Sequence, residues 1–250
     1  MKILYFTSTG NNLHISKKIG GELLSIPQLI KNKTYEITDD TIGIIVPVYY
    51  GSVPIIVREY LKKATLNAEY IFCIISYGSS YAGAFNDFEK IFKKKGQKIN
   101  YTNDVKMVDN FTPMFSMDEE IKIKDTEEIE KKIDSIKQDI ENHKESKINI
   151  TTKDTITTTL MDKIFRPVVS KWIKIKVKDG CNDCETCSKV CPQNNITVQQ
   201  GPNIGKNCIL CLACVQNCPK NIIYTSKQKD DSRFRNPNVK LSEIIKSNQQ

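Results

Sequence analysis

The sequence predicts a doubly wound α/β domain on a five-stranded parallel sheet, followed by a small cysteine-framed α+β domain. Three observations carry this expectation. Strand and helix signals alternate through residues 1–148 of a 250-residue chain, the pattern of a parallel sheet covered on both faces. The rhythm breaks in a basic, Thr-rich connector over 149–178. Eight of the nine cysteines then crowd between Cys181 and Cys218, in a unit read as 179–226 and followed by a polar tail, 227–250.

The elements follow from local patterns. Lys2–Thr7 reads as a buried strand, and a helix is expected near Leu13–Leu24. A short strand is expected at Pro27–Ile30. Thr41–Val48 is a β-branched apolar run. Pro54 sits where a helix tolerates proline, in its first turn, and Ile55–Lys63 continues that helix. Tyr70–Ser76 is a buried strand, followed by a helix over 82–95. Lys98–Met107 is a weaker strand. A last helix is expected over 118–144, with Ile129, Ile133, Ile136 and Ile140 on one face. In the connector, Leu160, Ile164, Val168 and Trp172 recur every four residues on a basic helix interrupted by Pro167. Packing of that stripe on a domain is expected, with a membrane-surface or partner-docking helix as the alternative. The tail is expected to be surface-bound or partly disordered.

The net charge of +8 is unevenly placed. Residues 1–152 balance 21 basic against 21 acidic side chains, whereas 153–178 hold seven against two. No aromatic-rich basic motif supports nucleic-acid binding. No secretory signal is read at Met1-Lys2-Ile3-Leu4-Tyr5-Phe6, and no apolar run reaches the roughly 18 residues of a membrane span. The expected compartment is the cytoplasm.

The cysteines form an internal repeat. Cys181, Cys184, Cys187, Cys191 and Pro192 recur 27 residues later as Cys208, Cys211, Cys214, Cys218 and Pro219. Each copy reads C-x2-C-x2-C-x3-C-P. Three cysteines so spaced wrap three corners of a cubane, and the fourth serves the other cluster. One [4Fe-4S] cluster is therefore expected on Cys181, Cys184, Cys187 and Cys218. The second is expected on Cys208, Cys211, Cys214 and Cys191. Zinc is the alternative for such thiolates, but its sites usually pair two cysteines with a distant second pair. Two anionic clusters would lower the net charge to about +4. Ile196, Ile209, Leu210, Leu212 and Ile223 are expected to shield the sulfurs. This segment resembles the bacterial dicluster ferredoxins over 179–226.

Thr7-Ser8-Thr9-Gly10-Asn11-Asn12 lies between the first strand and the first helix. It has no Walker lysine and no G-x-G-x-x-G. A hydroxyl- and amide-rich turn at a helix N-terminus still suits a phosphate, because backbone N–H groups and the helix dipole favour an anion. The loop resembles the FMN-phosphate loop of flavodoxins, with Asn12 where that family prefers threonine. Two further loops follow strands at the expected carboxyl edge: Pro47-Val48-Tyr49-Tyr50-Gly51-Ser52-Val53-Pro54, and Ser76-Tyr77-Gly78-Ser79-Ser80-Tyr81-Ala82-Gly83. Tyr49, Tyr50 and Tyr77 are candidate walls for a flavin ring, or else surface-loop aromatics. Gly51 and Gly78 would let backbone approach the flavin edge, and Gly51 resembles the glycine whose carbonyl serves reduced flavin in flavodoxins. These loops contain no Asp or Glu, so a reduced, anionic flavin is expected to meet little repulsion.

The whole chain resembles the flavodoxin–ferredoxin fusions, the EFR-type ferrodoxins, through these loops, the dicluster segment and Ser232-Arg233-Phe234-Arg235-Asn236-Pro237. The resemblance implies a flavodoxin-like domain, a ferredoxin-like domain and cytoplasmic redox function in anaerobes. It implies FMN and two [4Fe-4S] clusters as cofactors, and unidentified redox proteins as partners. An electron carrier between FMN and the clusters is the leading expectation. An FMN-dependent reductase fed by the clusters is the alternative, although no nicotinamide motif or acid–base pair supports it. A cluster-based sensor is a third reading, which has no need of a flavin. Cys73 is expected to be a buried inert thiol, His14 a helix-surface residue beside the phosphate loop, and Trp172 a packed core residue.

Overall fold

The computed structural model describes residues 1–81 and 83–249; Ala82, the expected start of a helix and part of a candidate loop, lies outside them. The first part runs β1 (Lys2–Tyr5), α1 (Asn11–Ile19), β2 (Glu22–Ser25), α2 (Ile26–Lys31), β3 (Glu36–Thr38), β4 (Thr41–Pro47), α3 (Ile55–Lys63) and β5 (Thr65–Asn67). It continues with β6 (Tyr70–Tyr77), α4 (Phe85–Lys94), β7 (Tyr101–Lys106), α5 (Met117–Ile123) and α6 (Thr126–Glu141). The five-stranded sheet has the order β2-β1-β4-β6-β7, and every neighbouring pair is parallel. Counted within the sheet this is 2-1-3-4-5, the flavodoxin-like doubly wound order. β3 and β5 form a separate parallel pair.

Strand alternation divides the core. Leu4, Ile42, Ile44, Val46, Ile71, Cys73 and Ile75 pack with Val57, Leu61, Phe88 and Phe92 of α3 and α4. On the other face Ile3, Tyr5, Ile45, Phe72 and Ile74 meet Leu13 and Ile15 of α1 and Ile133, Ile136 and Ile140 of α6. The isoleucines of α6 thus face inward as their spacing predicted. Cys73 is fully buried, and burial pushes its thiol well up.

Three element expectations need correction. The chain turns at Gly20–Gly21, both at positive φ, so α1 stops at Ile19. Residues 22–25 then form the edge strand, and Pro27–Ile30 is helical because proline fits the first turn of α2. The long helix expected over 118–144 is two helices. Ser116 caps the first and Asp125 the second, accepting from the Glu128 N–H at 3.1 Å.

The connector forms α7 (Thr152–Leu160), a π-helical turn over Met161–Phe165 and α8 (Arg166–Trp172). Thr151 and Asp154 make a reciprocal capping box at its start. The wide turn precedes Pro167, whose ring would crowd an ordinary helical carbonyl. The apolar stripe does not pack as expected: Ile164 is 59% exposed and Trp172 73%. The opposite face of the helix is the docked one: Thr158 is buried, and Thr157, Met161 and the partly exposed Phe165 line the cavity beside the sheet loops.

The cysteine-rich unit contains β8 (Ile175–Val177), α9 (Thr186–Lys189), β9 (Ile196–Val198), β10 (Pro202–Ile204), α10 (Ala213–Gln216) and β11 (Ile223–Thr225). β8 pairs antiparallel with β11, and β9 with β10. The sequence repeat is also a backbone repeat. Asp183 and Leu210, Glu185 and Leu212, and Asn194 and Asn221 are pairs 27 residues apart, all at positive φ. Ile196, Leu212, Val215 and Ile223 form its small core with Cys187, Cys214 and Cys218. Among the described residues, no helix is long and apolar enough to cross a membrane.

The tail is ordered against the first part. Phe234, Val239 and Ile244 are buried, and α11 (Leu241–Asn248) packs on α2. Tyr5 Oη lies 2.8 Å from Ser247 Oγ. Its Leu241, Ile244 and Ile245 have helical spacing, and that short apolar face overrides the polar composition.

Gly43 of β4 lies opposite Phe72 of β6, and a Cβ at Gly43 would stand 2.1 Å from the Phe72 ring. Gly43→Ala is therefore expected to cost about 1–3 kcal/mol through overpacking. Thermal denaturation should show a lower Tm, partly recovered in Gly43→Ala/Phe72→Leu. An unchanged Tm would mean that the ring moves freely.

Candidate functional site

The carboxyl ends of β1, β4, β6 and β7 open onto one cavity of about 320 Å³. Its rim lies at the switch point, where strand order reverses between β1 and β4. Thr7, Ser8, Thr9, Asn11, Asn12, Pro47, Tyr49, Tyr50, Gly51, Ser76, Tyr77 and Gly78 all line it. Gly10 does not. It faces the tail, and a Cβ there would stand 3.0 Å from Val239.

The first loop is held from behind. Asn248 Nδ2 donates to the Thr7 carbonyl at 2.9 Å, Asn217 Nδ2 to the Ser8 carbonyl at 3.1 Å, and the Asn236 N–H to the Thr9 carbonyl at 2.8 Å. Asn236 Nδ2 also donates to Asn11 Oδ1 at 3.2 Å. Three successive carbonyls are thus drawn out of the cavity. Inside the loop, the Gly10 N–H donates to Thr7 Oγ1 at 3.0 Å. The first turn of α1 adds N–H groups that have no partner within the helix. Asn12 Oδ1 is buried without a partner. The unpaired N–H groups and the helix dipole, not this acceptor oxygen, favour an anion at the mouth of α1.

The second loop is a tight hairpin. Tyr49 and Ser52 exchange backbone hydrogen bonds of 2.9 and 3.1 Å, and Tyr50 and Gly51 sit at its tip with φ of 54° and 69°. A non-glycine residue rarely holds such a φ. Here Asp87 pins the hairpin, accepting from Ser52 Oγ at 2.7 Å and from the Val53 N–H at 3.0 Å. The Tyr50 ring meets Phe111 edge-on with centroids 5.7 Å apart, and its hydroxyl is buried without a partner. Burial pushes the Tyr49 and Tyr50 phenols up, and the nearby sulfurs of Cys211 and Cys208 push the same way. Tyr77 is pushed to about 12, first by burial and then by Asp104.

The loop after β7 contributes residues that the sequence reading missed. Met107, Val108, Asp109, Asn110 and Phe111 line the cavity, as do Met161 and Phe165 of the connector and Leu210 of the cysteine-rich unit. The position of this loop after the fifth strand was the available signal. Asp109 corrects the expectation of a site without carboxylates. It crowds Gly78, where a Cβ would stand 2.2 Å from its side chain. Burial raises its carboxyl above the usual range, with Glu120 adding to the effect. His14 is also corrected: it is buried and pairs with Glu130 of α6 at 2.6 Å.

The eight clustered cysteines line two smaller cavities. One is bounded by Cys181, Cys184, Cys187 and Cys218, the other by Cys191, Cys208, Cys211 and Cys214. Each brings the fourth cysteine of one repeat to the first three of the other. Burial raises the Cys187 thiol to about 11, helped by Cys218 and Cys184. Burial also raises Cys208, Cys211 and Cys214, each further raised by Cys191. Backbone N–H groups point at sulfur in repeat positions: Asp183 to Cys181 and Leu210 to Cys208, both at 3.4 Å. Among the described residues, no group of three or more His, Cys, Asp or Glu side chains is placed to hold a single metal ion. Of the residues expected to shield sulfur, Ile196, Leu212 and Ile223 do line this core. Ile209 lines the cavity of Cys191, Cys208, Cys211 and Cys214 as expected and also packs against the sheet core, whereas Leu210 turns toward the sheet loops.

Comparison with protein-family models and with curated protein sequences gives no match.

Asn248→Ala would leave the buried Thr7 carbonyl without its donor, at a cost of about 1–3 kcal/mol. Hydrogen exchange should quicken at residues 7–12 while β4 and β6 stay protected. A stability change below about 0.5 kcal/mol, with unaltered exchange, would show that the amide does not hold the loop.

Proposed function

We propose that this chain is an electron-transfer protein, passing electrons between FMN and two [4Fe-4S] clusters. The reading rests on one observation: eight cysteines line two cavities four by four in a crossed grouping, and one set stands beside Tyr49 and Tyr50 of the loop-lined cavity. Four sulfurs spread around a small cavity suit a cluster larger than one ion. Thiols raised by burial and by one another are stabilised when cationic iron displaces their protons.

FMN supplies one- or two-electron exchange when bound, and each cluster supplies one-electron exchange. The chain's own part is placement. Thr7, Ser8, Thr9, Asn11 and Asn12 would hold the phosphate at the N-terminus of α1, with Gly10 shaping the turn. Tyr49, Tyr50 and Tyr77 would flank the ring, and Gly51 and Gly78 its edge. Phe111, Met161 and Phe165 narrow the access of water to the cavity. Asp109 can hold a proton on the Gly78 side, since burial favours its neutral form.

The sulfur sets also imply an order. Cys211 acts on Tyr49, Leu210 lines the loop cavity, and Cys214 acts electrostatically with Cys187 of the other set. A flavin in the loop cavity would thus stand nearer a cluster held by Cys191, Cys208, Cys211 and Cys214 than one held by Cys181, Cys184, Cys187 and Cys218.

Anaerobic reconstitution of the intact chain is expected to give one FMN and about eight irons. In Cys218→Ala, EPR should lose the cluster of Cys181, Cys184 and Cys187 and keep the other. Loss confined to the cluster of Cys208, Cys211 and Cys214 would contradict the crossed assignment. Retention of neither flavin nor iron would contradict the function.

A further inference from the structure

The connector lays one side of its helix along the loop cavity and leaves the other bare. Thr158 is buried, and Thr157, Met161 and Phe165 line the cavity, Phe165 still 40% exposed. Ile156, Leu160, Ile164, Val168 and Trp172 lie on the bare side, exposed by 55, 51, 59, 43 and 73%. They recur every four residues and make a row roughly 24 Å long.

Cations border this row. Residues 153–178 hold seven basic residues against Asp154 and Asp162; both acids are engaged, and Lys178 at the far end pairs with Asp231 at 3.4 Å. Asp154 binds the Thr151 hydroxyl and N–H in its cap. Asp162 turns to the protein body, where it takes two bonds of 2.8 and 2.9 Å from Arg58, and it pairs with Arg166 at 3.1 Å. Lys163 and Lys171 interleave with the apolar row and are exposed. No ion pair among the described residues holds either of them.

These features select the occupant. A second copy would set one strongly basic face against another, which is repulsive. The available cations are lysines, point charges without the fixed fork of arginine. The apolar groups stand on the convex side of a helix. Recognition by this face is therefore non-directional, as suits a fluid anionic surface, with Trp172 at the level where tryptophan favours the membrane interface. We infer that the connector docks the protein on an anionic lipid surface. Its apolar row enters the headgroup boundary, and Lys163 and Lys171 meet the lipid phosphates.

Trp172 is the chain's one tryptophan, so its emission reports this face alone. The intact chain should co-sediment at low salt with phosphatidylcholine vesicles containing about 30% phosphatidylglycerol, with a blue shift of Trp172. Binding should weaken about tenfold or more on phosphatidylcholine alone, and likewise in Lys163→Glu/Lys171→Glu. Leu160→Ser/Ile164→Ser changes only exposed positions; it should keep its circular dichroism melt and lose the blue shift. Failure of the intact chain to bind anionic vesicles would overturn the inference and leave an acidic protein partner as occupant. Equal binding by the charge-reversed variant would overturn it too. So would a lipid-free dimer that Leu160→Ser/Ile164→Ser abolishes, because the row would then be covered by a second copy.

Discussion

The loop from Thr7 to Asn12 has its carbonyls tied off from outside, and the rest of the site depends on this constraint. A turn of six residues could point either its N–H or its C=O groups into the cavity. Asn217, Asn236 and Asn248 decide between them by claiming three consecutive carbonyls. Each donor comes from a different place: the end of α10, the segment before α11, and the last residue of α11. The inward face of the loop is left to N–H groups and hydroxyls, the complement of a phosphate.

This arrangement makes the two halves of the chain one device. The α/β part forms the floor of the cavity, but its first loop is held by residues more than 200 positions downstream. A fragment ending near Ile150 would lose all three donors together with Leu210 and the connector wall. The cysteine-rich unit likewise does not stand apart. Val190, Cys211 and Ala213 join the core formed by α1, α6 and Ile244. Cys208 and Cys211 of the second repeat are thereby brought close enough to the tyrosines of the second loop to raise their phenols.

Much of this was legible because it is local. Continuous apolar runs predicted β1, β4 and β6, Pro54 predicted the start of α3, and the 27-residue repeat reappears as paired positive-φ residues. Of the candidate cofactor-binding residues, Thr7 to Asn12, Pro47, Tyr49 to Gly51 and Ser76 to Gly78, all but Gly10 line a single cavity, since strand order brings those loops together. What escaped was non-local. Asp109 lies on a loop with no motif, and only the sheet order brings it against Gly78. The tail's polar composition hid a buried role, because Asn236 and Asn248 donate to a loop at the other end of the chain. The row from Ile156 to Trp172 has the spacing of a packed stripe, and spacing does not say whether a partner element exists. Here Met161 and Phe165 take the inner face, and the stripe is left outside.

We propose that the tied loop cradles the phosphate of FMN. The most direct measurement is the affinity of the intact apoprotein for FMN against riboflavin, which differ only in the phosphate. Several charge-assisted hydrogen bonds should make FMN bind about a hundredfold or more tightly. Equal affinities for the two flavins would contradict the claim, because the loop would then be contributing nothing to phosphate.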